Sequence, residues 1–404
     1  MKMSDNAKKA VFIGSLCSVA YFAVYVARNA LSAVTPQMLE GGFTEGYIGK
    51  ISSVYFIVYA IGQLINGFVG EKIKARYMIS FGLLLAGICN FLFPMLSGSE
   101  NGVMIVYGMT GFFLAMIYGP MTKVVAENVE PIYAPRCSIG YELASFLGSP
   151  SAGMLAVFLP WQGVFISSSV VLMLMGVIAF SVFFAFEKKG LISYGQYRSE
   201  KHGAAKVKVL FKHQIVKFCL IAILTGVVRT SVVFWLPTYI SQYLGFSAQT
   251  SAAIFSVVTF IMATITFITV FIYERLKRNM DKTILLLFSV SLVAFISVYF
   301  VKHPVLNIIL LVLAIMSSMG VSTMMWSRYC PGLRDTGMVS TVTGFLDFLS
   351  YMAAAVANLV FANAVTSIGW GNLILVWTAL VAIGVIVALP YNKIFKLSKT
   401  NGKA

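Results

Sequence analysis

YFAVYVARNALSAVTP, residues 21–36, and GVVRTSVVFWLP, residues 226–237, are apolar runs that each hold one arginine followed, eight residues later, by one proline. Arg28 precedes Pro36 and Arg229 precedes Pro237. Reading outward from the two runs, GFT at 42–44 is answered by GFS at 245–247. GEKIKAR from Gly70 is answered by YERLKRN from Tyr273. The offset between partners stays at 201 to 203 residues. One such match is chance; four in order at a nearly constant offset indicate an internal duplication.

The repeated unit is membranous. The chain is 59% hydrophobic and only 11% charged, whereas a soluble protein needs roughly 25% charge. Stretches of about 20 apolar residues, the length that crosses a bilayer, follow one another from end to end. Helices are predicted at 11–35, 47–70, 77–97, 103–124, 138–159 and 162–186, and again at 215–240, 248–273, 283–301, 306–327, 338–366 and 372–393. Between the two sets lies a polar, basic connector. The expected organisation is an N-terminal six-helix bundle over 1–186, a cytoplasmic linker over 187–212 and a C-terminal six-helix bundle over 213–404. Parallel six-helix halves with such a connector make an all-α, 12-transmembrane-helix major facilitator fold, with two pseudo-symmetric bundles and a substrate site near mid-membrane.

The formal net charge of +16 first suggests a nucleic-acid partner, but its distribution is a topology signal. With the N-terminus inside, Lys50 and Lys302 are the only basic residues on outer segments, and Arg28 and Arg229 lie within helices. The others, Lys72, Lys74, Arg76, Arg275, Lys277 and Arg278 among them, fall on inner segments. That asymmetry places both termini in the cytoplasm of a cell inner membrane. The five cysteines are scattered, and the three histidines lie in predicted loops, so neither a disulfide framework, a metal site nor a histidine proton relay is expected. No small-residue cleavage site follows the first apolar run, which reads as an uncleaved first helix. With no Walker loop, cofactor signature or nucleophile–base constellation, the chain does not read as an enzyme. GSPSAG at 148–153 is small residues in a helix.

Charges at membrane depth carry the chemistry. An arginine at a helix centre costs roughly 2.5–3.5 kcal/mol to insert, so intramembrane ionisable residues are usually functional. Four stand out: Arg28, Glu142, Arg229 and Asp347. The repeat makes Arg28 and Arg229 equivalent and predicts that they face one cavity, where two guanidinium groups need an anion between them. The planar donor fork of arginine suits phosphate and carboxylate. The competing reading is that each arginine snorkels to an interface or pairs with Glu142 or Asp347. Ser18, Tyr21, Tyr25, Arg28, Ser32 and Thr35 recur at helical spacing on one face. Tyr55, Tyr59, Gln63 and Asn66 form a second stripe, and Ser340, Thr343, Asp347, Ser350 and Asn358 a third. Each stripe lines either a solvated cavity or a helix–helix contact glued by polar groups. Asp347 can bind a polyol, carry a proton or neutralise Arg229; Glu142, early in its helix, can face a cytoplasmic vestibule. Gly70, Glu71, Lys72 and Arg76, with their mates Glu274, Arg275 and Lys277, sit on inner loops and are expected to order helix ends and set the balance between two access states.

The same residues carry a family resemblance. YFAVYVARNALSAVTPQMLEGGFTEGYIG, from Tyr21, resembles the first helix of the organophosphate:phosphate antiporters, which include the glycerol-3-phosphate and hexose-phosphate transporters and the microsomal glucose-6-phosphate transporter. VVRTSVVFWLPTYI, from Val227, resembles their seventh helix, with Arg229, Trp235, Pro237, Thr238 and Tyr239 in place. GFLDFLSYMAAAVAN, from Gly344 and containing Tyr351, and GW at 369–370 resemble their eleventh helix and the loop after it. The resemblance implies a phosphoryl group clamped by the two arginines with Tyr21 and Tyr25 nearby. Gln63 stands where the family often has lysine. The helix 5 histidine of the glycerol-3-phosphate transporter has no match, with Ser145 and Phe146 nearest. Gly226 occupies the position equivalent to Tyr25, and Phe234 replaces an acidic residue of some members. The expected function is exchange of a phosphorylated organic metabolite for inorganic phosphate by a monomeric antiporter. Two alternatives stand beside it: a proton-coupled transporter of an organic carboxylate, and a transporter-like sugar-phosphate sensor.

Overall fold

The computed structural model describes residues 4–69, 73–130, 132–194, 210–211, 213–333 and 339–389, and every regular element among them is a helix. Among the described residues ten helical spans, several made of two consecutive elements, are long and apolar enough to cross a bilayer. The long first one, α1 (Asp5–Glu40), is N-capped by Ser4, whose hydroxyl accepts from the Ala7 amide. Next come α2 (Glu45–Val69), α3 (Ala75–Met95), α4 (Glu100–Leu114), α5 (Tyr118–Asn128), α6 (Ala134–Phe158) and α7 (Trp161–Lys188). The later helices are α8 (Ile215–Gly226), α9 (Val233–Gln242), α10 (Ala248–Met262), α11 (Ile265–Arg275), α12 (Met280–Phe300), α13 (Pro304–Met324) and α14 (Val339–Ala388). Large apolar side chains stand exposed around the exterior, Phe158 and Phe300 at 72% each, which is stable only where lipid is the solvent.

Local chemistry explains the repeat. Gly42 and Gly245 both have positive φ, 92° and 78°, a conformation that costs glycine least. Each closes the helix before it. Two residues on, Thr44 and Ser247 accept hydrogen bonds from the Tyr47 and Thr250 amides at 3.2 Å and cap the next helix. GFT and GFS are therefore one stop-and-restart signal used twice.

The structure departs from the predicted helices at identifiable residues. The predicted segment 103–124 is two helices, α4 and α5. Pro120 lacks an N–H for the carbonyl of Met116 and crowds it, and the chain tightens there through Met116 N–H to Phe113 and Ile117 N–H to Leu114. The segments predicted at 338–366 and 372–393 agree with the structure: α14 is two helices that meet at a kink at Gly369, whose φ of 75° and ψ of 167° are not helical. The helix predicted at 215–240 contains a π-helical segment, Val227–Val232. Pro237 withdraws the donor for Val233 just beyond it. Its counterpart Pro36 lies inside the unbroken α1, so proline alone does not create the π turn.

Two compact units divide the chain. The first holds Met1–Gly203 with Val233–Ala263 and Tyr351–Ser367; the second holds Ala204–Val232, Thr264–Ser350 and Ile368–Ala404. In the first, α1 packs on α6, α3 on α7 and α2 on α4. Second-half segments are bound into it by hydrogen bonds. Ser32 donates to the Phe234 carbonyl at 2.7 Å, Ser53 to the Ala355 carbonyl at 2.6 Å and Ser256 to the Pro150 carbonyl at 2.6 Å. Gln242 reaches Glu45 at 2.6 Å, and Gln249 reaches the Val157 carbonyl at 2.7 Å. In the second unit, α12 packs on α13, and α13 also touches α8 and the π segment.

Candidate substrate site

Arg28 is set in an aromatic cage within the first unit. Arg28 lies twelve residues, about 18 Å, before the Glu40 end of α1. Its guanidinium carbon lies 4.8 Å from the ring centre of Tyr351, 4.9 Å from Tyr59, 5.2 Å from Tyr25 and 5.6 Å from Phe56. Its Nη1 donates to the Tyr351 hydroxyl at 3.1 Å. The negative faces of the rings steady a cation without cancelling its charge. Among the described residues no carboxylate lies within salt-bridge distance of Arg28. The site is therefore a fixed positive charge in apolar walls, chemically suited to an anion.

The cage is tyrosine-rich because three helices converge on it. α1 brings Tyr21 and Tyr25, whose rings are 5.0 Å apart. α2 brings Tyr55, Phe56 and Tyr59, and α14 brings Tyr351, whose ring is 5.0 Å from Tyr59. Gln63 donates to the Tyr59 hydroxyl at 2.8 Å, leaving the Tyr59 proton for another acceptor. Tyr118 and Tyr141 extend the cluster, at 5.4 and 6.2 Å from Tyr21. Phe56, Tyr118 and Tyr141 were not among the sequence candidates. Phe56 is apolar and so fell outside a search for polar stripes; the other two depend on which helices neighbour α1, which periodicity does not reveal.

The polar stripes divide between the two readings open to them. Tyr21, Tyr25 and Arg28 stand at the cage, whereas Ser32 is spent on the Phe234 carbonyl and Thr35 on the Leu31 carbonyl of its own helix at 2.7 Å. Trp235 is fully buried and packs close to Gly49 of α2. Asn358 is also fully buried. In the second unit, Arg229 is half-buried within the π segment, a distortion that recurs at functional sites. Asp347 is half-buried on α14. Glu274 is exposed at the end of α11. Glu71 and the side chain of Glu142 lie outside the described residues.

The inner-loop expectation for Arg76 gains a partner the sequence did not supply. Arg76 is 6% exposed, and Glu187, the last acidic residue of α7, binds both it and Lys74. Phe180, Phe184 and Tyr77 surround the guanidinium at 5.4, 5.2 and 4.6 Å. Glu187→Gln leaves a buried guanidinium short of its anion. It should lower stability by about 1–2 kcal/mol, read as a drop in the thermal midpoint in detergent. Asp5→Asn, which removes an exposed partner of Lys8, should leave that midpoint unchanged.

Residues 17–358 match the family profile described as the Major Facilitator Superfamily. The chain belongs to the Major Facilitator Superfamily. It is accordingly a multi-pass membrane transporter, a class that normally moves solutes rather than catalysing reactions. Among relatives of this facilitator, the glycerol-3-phosphate transporter of Bacillus subtilis (strain 168) is 23% identical over 95% of this chain and 92% of its own. The membrane sensor protein UhpC of Salmonella typhimurium is 29% identical over 23% of this chain and 21% of its own. A probable hexose phosphate transport protein of Chlamydia trachomatis is 22% identical over 39% and 36%. These matches agree with the organophosphate:phosphate antiporter resemblance. The facilitator fold recurs in the crystal structure of a bacterial homolog to the human lysosomal transporter Spinster, at TM-score 0.77 and 11% identity over 96% of this chain and 97% of that one. It recurs also in a D-xylose-proton symporter, at TM-score 0.73 and 13% identity over 94% and 96%.

Proposed function

We propose that this facilitator exchanges a phosphorylated organic metabolite for inorganic phosphate by alternating access. The observation that carries the reading is Arg28, a cation within an apolar helix steadied by four rings, one of which also accepts through its hydroxyl, with no carboxylate in salt-bridge range among the described residues. Arg229, its partner in the repeat, is proposed as the second anion contact, with Tyr21, Tyr25, Gln63, Asp347, Trp235 and Tyr351 completing the binding set. The glycerol-3-phosphate and probable hexose phosphate transporters among its relatives support a phosphoryl substrate. Counting α6 as a span and dividing α14 at Gly369 gives the twelve helices of two repeats, with both termini in the cytoplasm of an inner membrane and a monomer as the working unit.

Alternating access follows if one anion must satisfy contacts from both repeats, because a ligand shifts a conformational equilibrium only through contacts that differ between states. The test is uptake of radiolabelled phosphate into phosphate-loaded proteoliposomes, competed with panels of phosphorylated metabolites and carboxylates. Exchange requiring internal phosphate and blocked by a phosphate ester is the expected result. Flux that needs a pH gradient but no counter-anion would replace this reading with a proton-coupled carboxylate transporter. Arg229→Lys keeps charge but loses the fork, and exchange should fall roughly tenfold or more. The match to the sensor protein favours one second reading. A sensor would bind the phosphate ester without exchanging it, which the same vesicles separate.

A further inference from the structure

We propose that a cavity in the second unit, at the Ile215 end of α8, is a separate binding site for a phosphoryl group. It has a volume of about 300 Å³ and is lined by His213, Gln214, Phe218, Asp281, Arg328 and Tyr329 among others. That is the lower end of the range for small-ligand pockets. None of these residues belongs to the Arg28 cage, and the inference does not depend on what the protein transports.

Three features point to an anion, and a fourth marks the cavity as irregular backbone. The first is charge. Arg328 brings a guanidinium that packs 5.1 Å from the Tyr273 ring centre, and Asp281, the one acid lining the cavity among the described residues, is already bound to Lys217 at 2.9 Å. The wall is thereby left net positive, with the His213 imidazole beside it. The second is the start of α8. Its N-cap, Gln214, lines the cavity and makes no side-chain cap bond, which sets the positive end of the helix dipole beside it. The third is a buried donor. Tyr329 is 6% exposed and stacks on Phe218, yet its hydroxyl has no hydrogen-bond partner among the described residues. A buried hydroxyl without a partner is costly and calls for one.

The fourth feature is backbone. Gln214 holds a left-handed conformation, φ 57° and ψ 35°, which is uncommon for a non-glycine residue. Arg328 and Tyr329 belong to a second π-helical segment, Met325–Tyr329. Both irregularities border this one cavity. Phe218, Met280 and Leu333 add apolar wall, so the site suits a phosphoryl group that carries an apolar or sugar-sized remainder. Two sources share that chemistry: the headgroup of an anionic phospholipid, and a soluble phosphate.

The experiment uses the full chain carrying Arg28→Gln and Arg229→Gln, which removes the proposed transport site and leaves this one intact. In one arm, labelled inorganic phosphate is dialysed against the protein in neutral detergent. In the other, the protein in phosphatidylcholine nanodiscs with and without phosphatidylglycerol is scored for retained anionic lipid by native mass spectrometry. Binding should be present in at least one arm. There it should fall about tenfold in Arg328→Gln, the loss expected for one charge-assisted contact, and measurably in Tyr329→Phe. The arm that responds identifies the source. His213→Gln alters an exposed residue and serves if Arg328→Gln fails to fold; it should weaken binding in the same arm. If neither phosphate nor phosphatidylglycerol is retained by the parent, or retention is equal in the parent and these variants, the site does not exist.

Discussion

Arg28→Gln is expected to abolish phosphate exchange in proteoliposomes while the protein still inserts and purifies. The cage explains both halves of that expectation. Four rings between 4.8 and 5.6 Å from the guanidinium carbon and the 3.1 Å bond to Tyr351 hold the side chain before any ligand arrives. Little ordering cost is then left for binding. Removing one partner of a buried charge pair costs about 2–5 kcal/mol, or roughly 30- to several-thousand-fold in rate or affinity. Glutamine is close in length, neutral and compatible with a polar cavity, so the fold should survive. Arg28→Lys retains the charge but loses the fork and its face-to-ring stacking, and should sit between the two. Tyr351→Phe keeps the ring and loses only the hydroxyl, and should weaken exchange far less than Tyr351→Ala. Near-normal exchange by an inserted Arg28→Gln protein would remove Arg28 from the substrate site.

Much of this fold was legible because membrane insertion writes a long, simple pattern. Apolar length marks the spans. GFT and GFS are readable because a left-handed glycine followed by a hydroxyl cap is local chemistry. What the sequence concealed lies in departures from regular helix. Gly369 is the exception, since it falls in the gap between two predicted helices and the two helices meet there. The π segment at Val227–Val232 has no local sequence signal, since Pro36 and Pro237 occupy equivalent positions and only one is preceded by a π turn.

The site was legible to the extent that its residues share one helix. Tyr21, Tyr25 and Arg28 are found by spacing alone. Phe56, Tyr118 and Tyr141 depend on which helix lies beside which. Ser32 and Thr35 show the limit of a polar stripe, because the same hydroxyl spacing serves packing as well as solvation. Glu187 shows another limit: it lies in the last turn of α7 and reads as the first residue of a linker, while its carboxylate binds a guanidinium at the start of α3.

The second large effect should come from glycines that face backbone. A side chain on Gly148 of α6 would lie 2.7 Å from the Tyr25 carbonyl carbon and 3.0 Å from its Cα. On Gly226 of α8, it would lie 2.6 Å from the Ser350 carbonyl oxygen and 2.8 Å from its Cα. These are one contact made twice. Tyr25 and Gly226 are 201 residues apart and Gly148 and Ser350 are 202 apart, so the repeat keeps the close helix crossing and exchanges which partner is small. Small residues let membrane helices approach closely, and dispersion at that approach is much of what holds them. Gly148→Ala and Gly226→Ala should each force two backbones apart. That costs roughly 1–3 kcal/mol or more, read as a lower thermal midpoint in detergent and lost exchange. Loss of exchange is expected for Gly148→Ala in particular, because Tyr25 is a wall of the Arg28 cage. Neither loss should be rescued by trimming the facing side chain, as in Tyr25→Ala or Ser350→Gly, because the obstructing atoms include backbone. Gly119→Ala, whose new methyl meets nothing within 4 Å, should be neutral or slightly stabilising. A Gly148→Ala protein with unchanged midpoint and unchanged exchange would show that α1 and α6 can separate at no cost, and the packing account of the site would fall with it.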